Sequence, residues 1–298
     1  MLPLQNGAHS RNNSQDCSAS IQNKCFMKKD KFIIVRGAGD IASGIIWYLN
    51  KAGYNVLSLD LKEPSSIRRE VSFSEAIYDG EKSIEGVKAV FVKDIKDLED
   101  VFLDNNVAVM IDEKAELINI LKPDVVVDAI LAKKNLGTTM DMAPLVIGVG
   151  PGFTARLDCH YVIETMRGHT LAKIYEYGSA IPNTGIPGLV AGHDVDRVMH
   201  SPSEGYFINK KNIGDIVKKE EEIATIKECI DRKETGNEIS LHASIDGVLR
   251  GLIRNNFYVK KGLKVADIDP RESEKENSFT ISDKARSIAG AVLLCIIK

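Results

Sequence analysis

The chain has 298 residues, 44% of them hydrophobic, with a formal net charge of −3 and a sequence pI near 6.1. That is enough apolar content for one large or two ordinary domains, and the balance disfavours a nucleic-acid partner, which needs a basic face. No apolar run reaches the roughly 18–20 residues that cross a bilayer, Ile288 to Ile297 being the longest candidate, so no membrane association is expected.

Residues 1–27 are polar, rich in Asn, Gln and Ser, and read as a disordered extension with no secretory signal. The cysteines, Cys17, Cys25, Cys159, Cys229 and Cys295, form no CxxC pair and have no regular spacing. They read as reduced thiols of a cytoplasmic protein. Cys159 stands beside His160, but neighbours in a strand point to opposite faces, which favours ordinary structural roles.

From Lys31 the pattern alternates. "KFIIV" (31–35) predicts a buried strand, and "DIASGIIWYLNKAG" (40–53) has helical spacing at Ile41, Ile45, Ile46 and Leu49. Strands follow at 54–60, 87–92, 107–112, 124–130 and 144–150, with helices at 94–106 and 113–121. The stretch 64–85 is less regular. Short Val/Ile runs separated by helices predict a parallel sheet covered on both faces. After Gly152 helical periodicity fades, and Gly and Pro punctuate short strands such as "LAKIYEY" (171–177).

"VRGAGDIASG" (35–44) fits the G-x-G-x-x-A form of the dinucleotide fingerprint. Gly37 allows the tight turn out of the strand, Ala38 follows it, and Gly39 lets backbone approach a phosphate. Ala42 lets the helix lie against the sheet. The helix N-terminus offers N–H groups to an anion, and Arg36 adds a cation at the same edge. Asp60 ends the second strand, 23 residues after Gly37, where an acid binds a ribose hydroxyl. Asp40 places a carboxylate where a pyrophosphate would lie, which argues against plain NAD and leaves a helix-capping role open. A tight turn that binds nothing is the competing reading of the loop.

Ligands of open parallel sheets sit beyond the carboxyl ends of the strands, here Arg36, Asp60, Lys93, Asp112, Asp128 and "GVGPGFTARLD" (148–158). In that last segment Gly148, Gly150 and Gly152 form a second glycine loop followed by Arg156, a candidate clamp for phosphate or carboxylate. An interdomain hinge with a surface Arg is the alternative. "LAKKNLGT" (131–138) reads as a solvated loop, and His193 with Asp194 and Asp196 as a solvated turn rather than a metal site, for want of a second His at ligand spacing.

A repeat follows. "HSPSEGYFINKKNIGDIVKKEEEIATI" (200–226) returns as "HASIDGVLRGLIRNNFYVKKGLKVADI" (242–268) at a constant offset of 42. His200 meets His242, Gly205 meets Gly247, and Val217-Lys218-Lys219 meets Val259-Lys260-Lys261. Neither half buries its own face alone, so the two are expected to close on each other. The pattern resembles the barrel-sandwich hybrid of biotinyl and lipoyl carriers. The carriers' Met-Lys is missing from "KECIDRKETGNEIS" (227–240), where Lys227 and Lys233 stand instead, so a scaffolding role is expected, with His200 and His242 structural. A charged link and an apolar helix at 281–298, capped by Ser282 or Asp283, close the chain.

The expected fold is α/β: a Rossmann-like doubly wound parallel sheet followed by a mostly β half containing a duplicated barrel-sandwich-hybrid-like module. The domains are a nucleotide-binding unit at 28–150, a connecting region at 151–195, the duplicated β-sandwich module at 196–270 and the C-terminal link and helix at 271–298.

Taken together, "VRGAGDIASG", "VDAILAKKN", "GVGPGFTA", "DCHYVIETMRGHTLAKIY", "GSAIPNTG" and "ADIDPR…SDKARSIAGAVL" resemble the YqeB-type accessory proteins of the selenium-dependent molybdenum hydroxylase system, over about residues 28–298. "GPGFTA" and "ADIDPR" weigh more than the glycine fingerprint, and "ESEKENSFT" is expanded relative to the family. The resemblance implies a maturation protein whose partner is a molybdenum hydroxylase and whose ligand is a nucleotide or molybdopterin dinucleotide. It assigns no catalytic residue. An NAD(P)-dependent oxidoreductase is the alternative, but the chain offers no His placed for hydride chemistry. A non-enzymatic protein that docks its partner through the duplicated unit is the other.

Overall fold

A computed structural model describes residues 31–185, 188 and 190–298. The N-terminal extension expected at 1–27 and Pro187 lie outside the described residues.

The first half runs β1 (Phe32–Arg36), α1 (Asp40–Lys51), β2 (Asn55–Asp60), α2 (Ala76–Asp79), β3 (Glu81–Ile84), β4 (Val87–Phe91), α3 (Leu98–Leu103), β5 (Val107–Ile111), α4 (Leu117–Leu121), β6 (Val125–Asp128) and β7 (Leu145–Val149). Next come β8 (Thr154–Ala155), β9 (Tyr161–Ile163), β10 (Ile174–Tyr175) and β11 (Gly178–Ser179). Nine strands form one sheet in the order β10-β9-β7-β6-β1-β2-β5-β4-β3. Its middle is parallel because β1, β2, β5, β6 and β7 are continuous Val/Ile/Leu runs buried on both faces.

The expected architecture is corrected here. The chain is not a doubly wound parallel sheet followed by a barrel-sandwich hybrid. It is a mixed α/β fold with antiparallel pairs at both sheet edges, β3 with β4 and β9 with β10. Three further sheets are antiparallel throughout. The irregular stretch after β2 explains part of this. Residues 69–75 form two 3-10 turns and α2 is a single turn, so β3 returns as a hairpin strand where a crossover helix was needed. The helix expected at 94–106 is a 3-10 turn plus the six-residue α3, and the strand expected at 171–177 shrinks to β10.

The second half contributes β12 (Val198–His200), β13 (Gly205–Asn209), β14 (Ile216–Val217), β15 (Glu222–Ile230), β16 (Lys233–His242), β17 (Gly247–Leu252), β18 (Phe257–Val259) and β19 (Lys264–Asp269). They make two four-stranded sheets, β12-β19-β17-β14 and β16-β15-β13-β18. The offset of 42 converts one sheet into the other strand by strand. Val198 pairs with Asp267 as Ser240 pairs with Thr225, and His200 pairs with Lys264 as His242 pairs with Glu222. Each sheet takes two strands from each copy of the repeat. Phe207, Ile226, Leu249, Ile268, Val217 and Val259 fill the space between them with no exposed surface. His200 and His242 are both exposed.

The last helix, α5 (Asp283–Ile297), belongs to the first half's core. Ser282 caps it by accepting a hydrogen bond from Ala285 N–H. A Cβ at Gly44 of α1 would lie 2.8 Å from the Ala285 side chain, so α1 and α5 touch through their smallest residues. Lys31 Nζ donates to the Ile296 carbonyl at 2.6 Å. Among the described residues no helix is long and apolar enough to cross a membrane.

Candidate functional site

A cavity of about 1010 Å³ opens beyond the C-terminal ends of β1, β2, β5 and β6. The first half lines it with Arg36, Gly37, Gly39, Asp40, Asp60 and Arg68, the second half with Arg197, Arg250, Lys264 and Asp267, and the start of α5 with Lys284. The size suits a nucleotide-sized ligand.

The glycine loop forms its floor. Gly37 has φ +97°, and a Cβ there would sit 3.1 Å from the Ala129 carbonyl, so the turn needs glycine. Gly39 is different. It is the N-cap of α1 in an extended conformation, and a Cβ would meet only the Ser66 hydroxyl at 3.5 Å, an ordinary contact. Nothing in the fold demands glycine at 39, yet it faces the cavity at a helix N-terminus, where a side chain would hold a ligand off the free N–H groups. Ala38 and Ala42 are buried against the sheet.

Arg36 and Asp60 are both occupied. Arg36 Nη1 donates to Asp128 Oδ2 at 3.0 Å and also to the Thr138 hydroxyl, and Nη2 reaches the Leu136 carbonyl. Both members of the Arg36–Asp128 pair are buried, so this charge ties the 131–138 loop to the sheet. Asp60 accepts the Ala38 N–H at 2.7 Å with one oxygen and the Leu61 N–H at 2.7 Å with the other. Burial raises its carboxyl above the ordinary value, against the two main-chain bonds that lower it. The acid that would hold an NAD ribose is therefore engaged in shaping the glycine loop.

Gly148, Gly150, Gly152 and Arg156 are not brought to the cavity wall. A Cβ at Gly148 would fall 2.6 Å from the Phe153 ring, and one at Gly152 (φ +109°) would fall 2.6 Å from the Lys134 backbone. Arg156 lies with its guanidinium over Tyr177 and Tyr161, its Nε donating to the Glu176 carbonyl. His193 pairs with Asp196 at 2.6 Å on the surface, and no metal-holding cluster occurs among the described residues. The Cys159 thiol is fully buried, and burial pushes its pKa up to about 12. An alkylating reagent at neutral pH is thus expected to leave Cys159 untouched until the protein is unfolded, as peptide mass mapping with and without urea would show. Rapid labelling of the native protein would contradict this burial.

The cavity's cations were not legible as a motif. Arg68, Arg167, Arg197, Arg250, Lys264 and Lys284 come from six separate segments. The repeat held one usable signal. At the equivalent positions of the other copy Arg197, Arg250, Lys264 and Asp267 are replaced by Ile239, Ile208, Glu222 and Thr225, so these charges are not needed by the scaffold.

No protein-family model matches the chain. The curated protein "Uncharacterized protein YqeB" of Escherichia coli (strain K12) is 43% identical over 263 residues, 88% of this chain and 47% of that protein. The chain thus spans about half the length of the curated relative it matches. Among solved structures, the product-bound ectoine utilization protein EutE (DoeB) from Ruegeria pomeroyi aligns at TM-score 0.26 and 13% identity, covering 80% of this chain and 84% of that one. A succinylglutamate desuccinylase/aspartoacylase from Rhodobacter sphaeroides aligns at 0.27 and 12%, with coverages of 80% and 84%. Superpositions at such scores carry no statement about chemistry. What the comparisons establish is that most of this chain is similar in sequence to about half of YqeB.

Proposed function

We propose that this chain is an accessory protein that holds a phosphate-bearing nucleotide or molybdopterin-type cofactor in the cavity between its halves, on behalf of a molybdenum hydroxylase. The observation that carries the ligand is Gly39, a glycine that no steric contact or dihedral requires, at a helix N-terminus facing a cavity lined by arginines and lysines. The client rests on the resemblance of "GVGPGFTA", "ADIDPR" and the other quoted segments to the YqeB-type accessory proteins.

Thermal melting with NAD, NADP, ATP, CTP and molybdopterin dinucleotides tests it. A ligand at 100 times its dissociation constant adds about 2.7 kcal/mol to stability. A rise in melting temperature with the molybdopterin species is expected. Gly39→Val should lower the melting temperature of the free protein only modestly, the cost of an apolar N-cap, and remove that rise, because valine adopts the extended conformation but projects into the ligand space. A rise with NAD alone would replace this reading with an oxidoreductase. No rise with any of the five would end it. Co-purification with a molybdenum hydroxylase tests the partner separately.

A further inference from the structure

Asp40 stands in the first turn of α1, inside the cavity. Its Oδ2 lies 3.8 Å from Arg68 Nη1, and its Oδ1 is buried without a hydrogen-bond partner. The charge of Asp40 acts on Arg68, Arg167, Lys264 and Lys284, and Arg250 acts on Arg68 and Lys264. Arg167 is already held by Asp283 through two hydrogen bonds of 2.9 and 3.0 Å. Arg68 and Lys264 have no such two-bond partner, their carboxylates standing 3.8 Å away. Arg68 is only 6% exposed, gives one terminal nitrogen to the carbonyls of Asn277, Ser278 and Thr280, and leaves its Nε without a partner. Lys264 has Asp267 at 3.8 Å, and Asp267 also serves Arg197.

Burial pushes Arg68, Lys264 and Lys284 toward the neutral form, the direction expected where cations lack enough counter-charge. Asp40, with its unsatisfied oxygen, is the carboxylate common to Arg68, Lys264 and Lys284, while Asp267 and Asp269 also act on Arg68, Asp267 on Lys264, and Glu164 and Asp283 on Lys284. The other acids near the strand ends, Asp60, Asp112 and Glu113, line the same cavity but are not among the main charges acting on Arg68, Lys264 or Lys284. The cavity is therefore divided into a basic region at Asp40 and an acidic region over β2 and β5. The duplicated scaffold is its own control, because the other copy carries Ile208 for Arg250 and Glu222 for Lys264.

We propose that Arg68, Arg250, Lys264 and Lys284 form a seat for a diphosphate-type polyanion, with Asp40 as the resident counter-ion that the ligand displaces. The identity of the rest of the ligand rests on the cofactor reading above, whereas the seat itself recognises polyphosphate alone. A monophosphate brings a charge of only about −2, which the free N–H groups of α1 and two cations already match. The acidic region then receives the uncharged end of the ligand, rich in N–H and O–H donors.

Calorimetric titration of the full chain with inorganic pyrophosphate, phosphate and sulfate is the test. Pyrophosphate is expected to bind tightest. Arg250→Ala and Lys284→Ala should each weaken it about tenfold or more, the loss of one charge-assisted hydrogen bond. Lys284→Arg should keep the affinity, and Asp40→Asn should tighten it by removing a like charge. Melting curves of the free variants separate lost binding from lost folding: Arg250→Ala and Lys284→Ala are expected to match the parent, and Asp40→Asn to melt lower because it strips counter-charge from buried Arg68. Pyrophosphate no tighter than phosphate, indifference to both alanine variants, or weaker binding by Asp40→Asn would each overturn the proposal. If nucleotides or molybdopterin species bind but pyrophosphate does not, the seat fails and the cofactor reading stands. If pyrophosphate binds and none of those species does, the cofactor reading fails and the seat stands.

Discussion

Replacing Gly247 by alanine is expected to cost about 3 kcal/mol or more, at the upper end of what overpacking a core does, and the same substitution at Gly205 should cost as much. A Cβ at Gly247 would overlap the Asp269 carbonyl, and one at Gly205 would overlap the Lys227 carbonyl. The colliding atoms are backbone oxygens of the adjacent strands β19 and β15, which have no rotamer through which to withdraw. Relief requires a strand to back away from its neighbour, giving up ladder hydrogen bonds in a sheet whose inner face is fully buried. Domains are stable by only about 5–15 kcal/mol, so the loss is a large share. Urea denaturation followed by hydrogen exchange with mass spectrometry would locate it. Amides of β13, β15, β17 and β19 should exchange faster, and those of β1 and β6 much less so. A variant that melts like the parent would mean that the close approach at these glycines is wrong.

Removing Asp128 should be comparably damaging, by about 3–5 kcal/mol, the usual cost of leaving one member of a buried ion pair alone. Arg36 is 4% exposed and cannot reach water to compensate. Asp128→Ala also takes away the acceptor of the Thr138 hydroxyl at 2.5 Å and unties the loop that Arg36 holds through Leu136. The double variant Arg36→Met, Asp128→Leu should recover much of the loss, because an apolar pair leaves no charge stranded. A double-mutant cycle of Arg36→Met, Asp128→Leu and their combination, read by chemical denaturation, isolates the charge interaction. Equal effects of Asp128→Ala and the double variant would show that packing rather than charge is at stake.

The strands β1, β2, β5, β6 and β7 were legible because each is a short run of Val, Ile and Leu bounded by turn residues, and α1 because its apolar positions recur at helical spacing. Pairing direction was not legible. Glu81–Ile84 carries alternating polar residues and no strong strand signature, and its place as an antiparallel edge strand is set by the hairpin at Glu85 and Gly86, both at positive φ. The repeat was visible because glycines and apolar residues recur at fixed spacing, and the sheets show why Gly205 and Gly247 recur. The site was half visible. The glycine loop has a local pattern, whereas Arg68, Arg250, Lys264 and Lys284 meet only through tertiary folding. Arg36 and Asp60 have the residue types of a phosphate clamp and a ribose acid, but their neighbours Asp128, Ala38 and Leu61 claim them first.

The contact between α1 and α5 governs how the protein is made. Gly44 leaves the ribosome long before Ala285, and at the usual 5–20 residues per second the interval is roughly 10–50 s. Throughout it the apolar face of α1 and the sheet beneath lack the helix that completes their core. The interlocked sheets impose a similar delay, since β12 and β14 have no partners until β17 and β19 have been synthesised. The second half is complete once β19 is made, whereas the first half waits for α5. A nascent chain halted before residue 283 would lack both the helix that completes the core over α1 and the Lys284 side of the cavity wall.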